Sequence, residues 1–248
     1  MKKESEKKDF ASDTEIIEAS NVRKAKQKAL AFLRRGQKAN IPKKYFRINA
    51  SQFSNLLDLT YIKDNKKQYK DLFGKDYSAK NTKEFASYIY DNADKLLGFS
   101  YILIDGGNAE ARRRAGNALL FRLILCDKWG MYRECTDLSH VFQSFNMDLD
   151  GLYRNDLVSQ LKKYGVLFVS EFYAKLMSIH YETGSFFDEL FTSRSNSGKT
   201  TIVSFSEPIQ EKNTIKTIEH GVTFADLSRQ IEPSNDVLRI KVVPHEWK

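Results

Sequence analysis

Cysteine is nearly absent: Cys126 and Cys135 are the two in 248 residues. That excludes a disulfide framework and any cysteine-rich metal module. Proline is scarce at four residues, which excludes a proline-rich spacer. No apolar run approaches the ~18 residues of a membrane span, and mean hydropathy is −0.52. Met1-Lys2-Lys3-Glu4-Ser5-Glu6-Lys7-Lys8 holds no apolar stretch of the kind a secretory leader needs. The four histidines, His140, His180, His220 and His245, are scattered, without HExxH or Cys/His pairing. Neither a metal site nor a Cys–His nucleophile pair is expected. A soluble, cytoplasmic protein with no membrane partner follows from these absences.

What is present is enough for one or two domains with a real core: 41% hydrophobic and 12% aromatic residues. The formal charge is +8, and it is concentrated. Residues 1–45 hold thirteen Lys/Arg and six Asp/Glu, so +7 sits there and the rest of the chain is close to neutral. Such an arm suits nucleic acid, because cations on phosphates release counterions. Lys24, Lys28, Arg34, Arg35, Lys43 and Lys44 are its candidate DNA contacts. A solvated tail that keeps the protein soluble is the alternative.

Residues 21–36 predict an amphipathic helix, with Val22, Ala25, Ala29, Leu30 and Leu33 on one face, Gly36 as its stop and Ile41-Pro42 as a further break. A second helix is expected over residues 82–97. From residue 99 the pattern is regular. Strands are expected at Phe99–Ile104, Met131–Thr136, Val166–Val169, Thr201–Phe205 and Val237–Val243. Helices are expected at Ala109–Trp129, Leu138–Phe145, Leu152–Tyr164, Phe186–Arg194 and Phe224–Ile231. This alternation predicts an α/β fold: a parallel five-stranded sheet flanked by helices. Residues 1–35 form the basic arm in this division and 36–248 the α/β domain.

Two motifs are read as turns. Ser197-Gly198-Lys199-Thr200 ends like a P-loop, but Ser193 stands where the first Gly belongs. A helix precedes it and a strand follows, the reverse of the order that aims a helix N-terminus at phosphate. Asn146-Met147-Asp148-Leu149-Asp150-Gly151 starts like a calcium loop, but Leu157 replaces the bidentate Glu.

The strand ending at Ile104, the Gly106-Gly107 turn and the long helix after it are the context of a phosphate-binding loop. The residues run Gly106-Gly107-Asn108-Ala109-Glu110-Ala111-Arg112-Arg113. Ala111 stands for the second Gly, Arg112 for the Lys and Arg113 for the Ser/Thr. Arg112 can still meet a phosphate, but Arg113 cannot ligate Mg²⁺. At the Val166 strand, Ser170 replaces the acidic residue that would hold the metal. Glu171 keeps the place of a water-activating carboxylate, a candidate catalytic residue. The strand inserted between them is the arrangement of additional-strand P-loop ATPases. Three successive cations, Arg112 to Arg114, oppose the helix dipole by roughly 0.3–1 kcal/mol each when exposed. An anion nearby would relieve this. The readings left open are an ordinary helix capped by Asn108 with a solvated Arg face, a site for DNA phosphate or protein carboxylate, and a nucleotide site.

Arg35-Gly36-Gln37-Lys38-Ala39-Asn40-Ile41-Pro42-Lys43-Lys44-Tyr45 resembles the lead-in to the ATPase domain of bacterial and phage replicative helicase loaders, the DnaC/DnaI type related to IstB. The order of elements from residue 99 resembles that family too. Phe186–Arg194 resembles the helix before its sensor strand and Thr201–Pro208 that strand, with Ser206 at the sensor position. Leu227–Ile231 resembles the segment with an arginine finger, which makes Arg229 a candidate. The resemblance implies an AAA+ fold, here without a C-terminal lid, and a replicative helicase or helicase loader as partner. It also implies single-stranded DNA as a possible ligand and the bacterial cytoplasm as the setting. It would ordinarily imply ATP and Mg²⁺. The departures at Ala111, Arg112, Arg113, Ser170 and Ser206 point instead to a pseudo-ATPase with no cofactor, a DNA-replication accessory protein encoded by a phage or mobile element. An active divergent ATPase loader, and an interaction protein that reuses the fold without DNA, are the alternatives.

Overall fold

The computed structural model describes residues 13–65, 82–126, 129–143, 151–172, 181–206 and 237–245. The calcium-loop-like residues 146–150, the expected helix Phe224–Ile231 and its Arg229 lie outside these.

Five strands form one parallel sheet: β1 (Tyr101–Gly106), β2 (Gly130–Glu134), β3 (Val166–Phe172), β4 (Thr200–Phe205) and β5 (Val237–Val242). Their order across the sheet is β2-β3-β4-β1-β5. The expected α/β five-stranded sheet is present, but the strand inserted between β1 and β3 is β4, not the expected Met131–Thr136 strand, which forms the edge strand β2. The Ile/Val/Leu/Phe-rich β1, β3 and β4 are buried on both faces, as parallel strands covered by crossover helices are, while β5 at the edge alternates buried and half-buried residues. Their alternation splits the core. Ile102, Ile104, Phe168, Ile202 and Leu238 face one layer, while Tyr101, Leu103, Leu167, Val169 and Val203 face the other.

The first layer is built on helix α5 (Ala109–Leu125), with the elements that precede the sheet packed around it. These are α1 (Asp13–Lys38), the short α2 (Ala50–Ser54) and α3 (Leu59–Asp64), and α4 (Thr82–Asp91). The second layer is aromatic. It draws on α6 (Cys135–Gln143), α7 (Gly151–Lys163) and α8 (Tyr181–Asn196), with Phe186, Phe187 and Phe191 clustered on Phe172.

Three expectations need correction. Gly36 does not stop α1, which runs on to Lys38. A Cβ at Gly36 would lie 2.6 Å from the Phe46 ring, so this glycine serves close packing. The stop is Asn40, at φ 61°: Asn40 N–H donates to Gln37 O and Ile41 N–H to Gly36 O, the paired bonds of a left-handed helix cap. The second strand is Gly130–Glu134, and Cys135 and Thr136 already belong to α6. The helix expected over 82–97 breaks into α4 and a 3₁₀ turn over Ala93–Gly98.

The P-loop-like Ser197-Gly198-Lys199-Thr200 is the expected helix-to-strand turn. Gly198, at φ 63°, caps α8, with Gly198 N–H on Ser195 O and Lys199 N–H on Arg194 O. Among the described residues no helix is long and apolar enough to cross a membrane, and no group of His, Cys, Asp or Glu is placed to hold a metal.

Candidate functional site: the loop after the first strand

At the C-terminal ends of the strands, β1 enters Gly106-Gly107-Asn108 and then α5. Both glycines are left-handed, at φ 79° and 53°. Space dictates them as well. A Cβ on Gly106 would lie 2.7 Å from Val242 O, and one on Gly107 2.8 Å from Val243 O. The residues after β5 therefore lie directly against the loop. Asn108 completes the closure: its Nδ2 donates to His245 O at 2.9 Å, while its Oδ1 accepts from Ala111 N–H and caps α5.

Arg112 fills the space in front of the loop. It is 6% exposed. Nη1 donates to Gly106 O at 2.9 Å and Gly107 O at 3.2 Å. Nε and Nη2 donate to Glu171 Oε1 and Oε2 at 3.0 and 2.6 Å. Two loop carbonyls thus point where a phosphate-binding loop would present N–H donors. The guanidinium is already neutralised by a bidentate carboxylate.

Glu171 reaches Arg112 at a backbone cost. It sits at φ 55°, where the β3–β4 register shifts between Val169 and Phe172. A non-glycine residue there costs roughly 1–2 kcal/mol. The Ser204 hydroxyl accepts from Glu171 N–H at 2.9 Å and steadies the bulge.

The other arginines are paired in the same way. Arg113 donates to Glu134 Oε1 and Oε2 at 3.0 and 3.2 Å, and Arg114 to Glu110 at 3.1 Å. Of the readings left open, the Asn108 cap is present, but the arginines meet protein carboxylates and do not form a solvated face. The anions that relieve the helix dipole are three of the chain's own carboxylates: Glu171, Glu134 and Glu110. Burial works to lower the Arg113 pKa, but the Glu134 hydrogen bonds and charge outweigh it and raise it.

Ser170 donates to Glu134 Oε2 at 2.7 Å, and Tyr132 binds both Glu134 and Ser170. Burial first, and then Glu134, pushes the Tyr132 hydroxyl well up from its ordinary value. Glu110 also accepts from Lys44 at 3.0 Å and Tyr45 at 3.1 Å. Burial would raise the Glu110 carboxyl, but the bonds from Lys44 and Arg114 win and hold it low.

The structure thus brings Gly106, Gly107, Asn108, Arg112 and Glu171 into one cluster, with Arg113 and Ser170 joined beside it through Glu134. Ser206 turns instead to the backbone, its hydroxyl donating to Phe172 O at 3.3 Å. Lys24, Lys28, Arg34 and Arg35 lie exposed along α1, and Lys43 is exposed beyond it. Lys44 joins Glu110. Sequence reasoning missed Glu134 and Tyr132. The available signal was charge balance: consecutive arginines in the first turns of a helix face acidic residues at the ends of two adjacent strands.

ATP with Mg²⁺ does not fit these residues. The loop aims carbonyls inward, Arg113 supplies no hydroxyl, Ser170 no carboxylate, and Glu171 is held by Arg112.

This is an α/β protein with an additional-strand sheet order and a phosphate-loop position closed by its own side chains. No protein-family profile and no curated protein sequence matches the chain. Among solved structures it is similar to a DNA replication initiation factor, at 15% identity and TM-score 0.49, over 64% of this chain and 46% of that one. It is similar to the replication initiator DnaA bound to AMPPCP and single-stranded DNA, at 15% identity and TM-score 0.48, over 63% of this chain and 45% of that one. It is also similar to DnaI, at 14% identity and TM-score 0.48, over 69% and 87%. The matched region spans less than half of either initiator chain.

Proposed function

We propose that the chain is a DNA-replication accessory protein of helicase-loader type that works as a pseudo-ATPase adaptor. In this reading residues 36–248 are a nucleotide-free AAA+-like scaffold. Residues 1–35 are a basic arm that meets a replicative helicase, its loader or single-stranded DNA. A phage or mobile element is the proposed source. The observation that carries the reading is Arg112, which occupies the phosphate position and is bonded to Glu171 and two loop carbonyls. Evolution of a loader toward ATP-free contact would leave this arrangement: the fold kept, the phosphate cradle replaced by an internal ion pair.

The α1 helix supports the contact role. Residues 24–35 are exposed, including Leu30 at 53%, Phe32 at 40% and Leu33 at 42%. Apolar residues on a basic helix fit a protein surface with acidic margins.

Titration of a fluorescent ATP analogue with Mg²⁺ tests the reading. No saturable binding up to millimolar nucleotide is expected; micromolar binding lost in Arg112→Ala would establish the divergent-ATPase alternative instead. Capture of a replicative helicase or loader from host lysate, lost on deletion of residues 1–35, identifies the partner.

A further inference from the structure

At the other end of the sheet, where β2 begins, a cleft of about 550 Å³ opens between α1 and the body. It is lined by Arg35, Lys38, Ala39, Ile124, Trp129, Gly130 and Tyr164. Two backbone bonds build it. Tyr132 N–H donates to Ala39 O at 2.8 Å, which pins the end of α1 along β2, and Val166 N–H donates to Trp129 O at 3.0 Å, which fixes Trp129 at the rim.

Trp129 is 78% exposed. Its indole is open to solvent, and its flat face suits a planar partner. Tyr164 supplies a second ring. Residues 24–38 of α1 carry Lys24, Lys26, Lys28, Arg34, Arg35 and Lys38 and no carboxylate, and among the described residues none that lines the cleft is acidic. Exposed aromatic surface next to a stripe of cations is the chemistry that holds an unpaired base and its phosphates.

We infer that this cleft takes an unpaired base of a single-stranded nucleic acid, with Trp129 and Tyr164 against the base and Lys38 at the phosphates. The inference deepens the proposed function, on which it rests for a nucleic-acid partner. It places that contact at the N-terminal ends of the strands, on the opposite edge from Arg112.

The test uses the full chain. Its two tryptophans are Trp129 and Trp247, so in a Trp247→Phe protein the emission reports Trp129 alone. Oligothymidylate and oligouridylate are titrated at low and moderate salt. Saturable quenching whose affinity falls with salt is expected. Trp129→Ala, at an exposed position, weakens binding by roughly tenfold or more, measured by anisotropy of the labelled strand, and Trp129→Phe recovers most of it. Lys38→Ala lowers the salt slope by about one. The tighter of the two strands names DNA or RNA as the source. Absence of quenching by both strands at low salt overturns the inference, as does unchanged affinity in Trp129→Ala or equal quenching by a duplex. Concentration-dependent self-association abolished by Trp129→Ala also overturns it, because the cleft is then a contact between copies. Nucleotide binding, if found, refutes the pseudo-ATPase reading and leaves these outcomes intact.

Discussion

Arg112 and Glu171 hold each other through two parallel contacts, and the same guanidinium spans both carbonyls of the glycine turn. One side chain thus ties β1, α5 and β3 together at the mouth of the sheet. The two side chains are 8% and 11% exposed. Removing one partner strands the other charge in a poorly solvated place.

Arg112→Ala and Glu171→Gln are therefore each expected to lose about 3–5 kcal/mol in urea unfolding. The double replacement Arg112→Leu with Glu171→Leu leaves no orphan charge and is expected to lose less than either single variant. A double variant that loses the sum of the two would show that the pair does not act as a unit.

Gly116, in the middle of α5, sets helix propensity against packing. Alanine there gains about 1 kcal/mol in propensity. Its Cβ would lie 2.1 Å from Cζ of Phe168, a ring that is fully buried and packed on Tyr132 with centroids 5.3 Å apart. Overpacking of this kind costs about 1–3 kcal/mol. Packing wins, so Gly116→Ala lowers the melting temperature, by about 2–6 °C at this chain length.

Arg194 is 1% exposed, and its bonds run to neutral groups. It donates to Leu161 O, Tyr164 O, Thr200 O and Thr201 Oγ1, fastening the end of α7 to the start of β4. Burial pulls its pKa down to about 10. Arg194→Met removes a poorly solvated cation but leaves buried carbonyls unsatisfied, each costing roughly 1–3 kcal/mol. A loss of about 3–5 kcal/mol in chemical denaturation is expected. Arg194→Lys keeps the charge without the planar fork and stays well below the parent.

The sheet was legible because five apolar runs alternate with helical periodicity, and because the glycine turn falls between the first run and the longest helix. The departures of the loop from a phosphate-binding sequence were equally legible, as single letters at 111, 112, 113 and 170. What filled the loop was not. The Arg112–Glu171 pair joins residues 59 positions apart and depends on a bulge that turns Glu171 inward, which no local pattern reveals. The Gly36 error had the opposite cause. Glycine reads as a helix stop by propensity, and only the Phe46 ring packed against its Cα explains why this one lies inside the helix.

Glu110 gives the cluster a pH signature. Its carboxylate accepts from Lys44, Tyr45 and Arg114, and these bonds hold its pKa below the ordinary 4.5 despite burial. A carboxyl whose folded pKa is depressed adds stability that is fully present above the unfolded value and is lost as pH falls through the folded one. The parent should therefore exceed Glu110→Gln in unfolding free energy by a constant margin at neutral pH. That margin should shrink as pH drops below 4.5 and close once Glu110 is protonated. The parent and Glu110→Gln differ at this carboxyl alone, so the change in the margin reports on it. Urea titrations of both proteins across that window read it directly, and a margin that stays flat with acid would mean that Lys44 and Arg114 do not depress the Glu110 pKa.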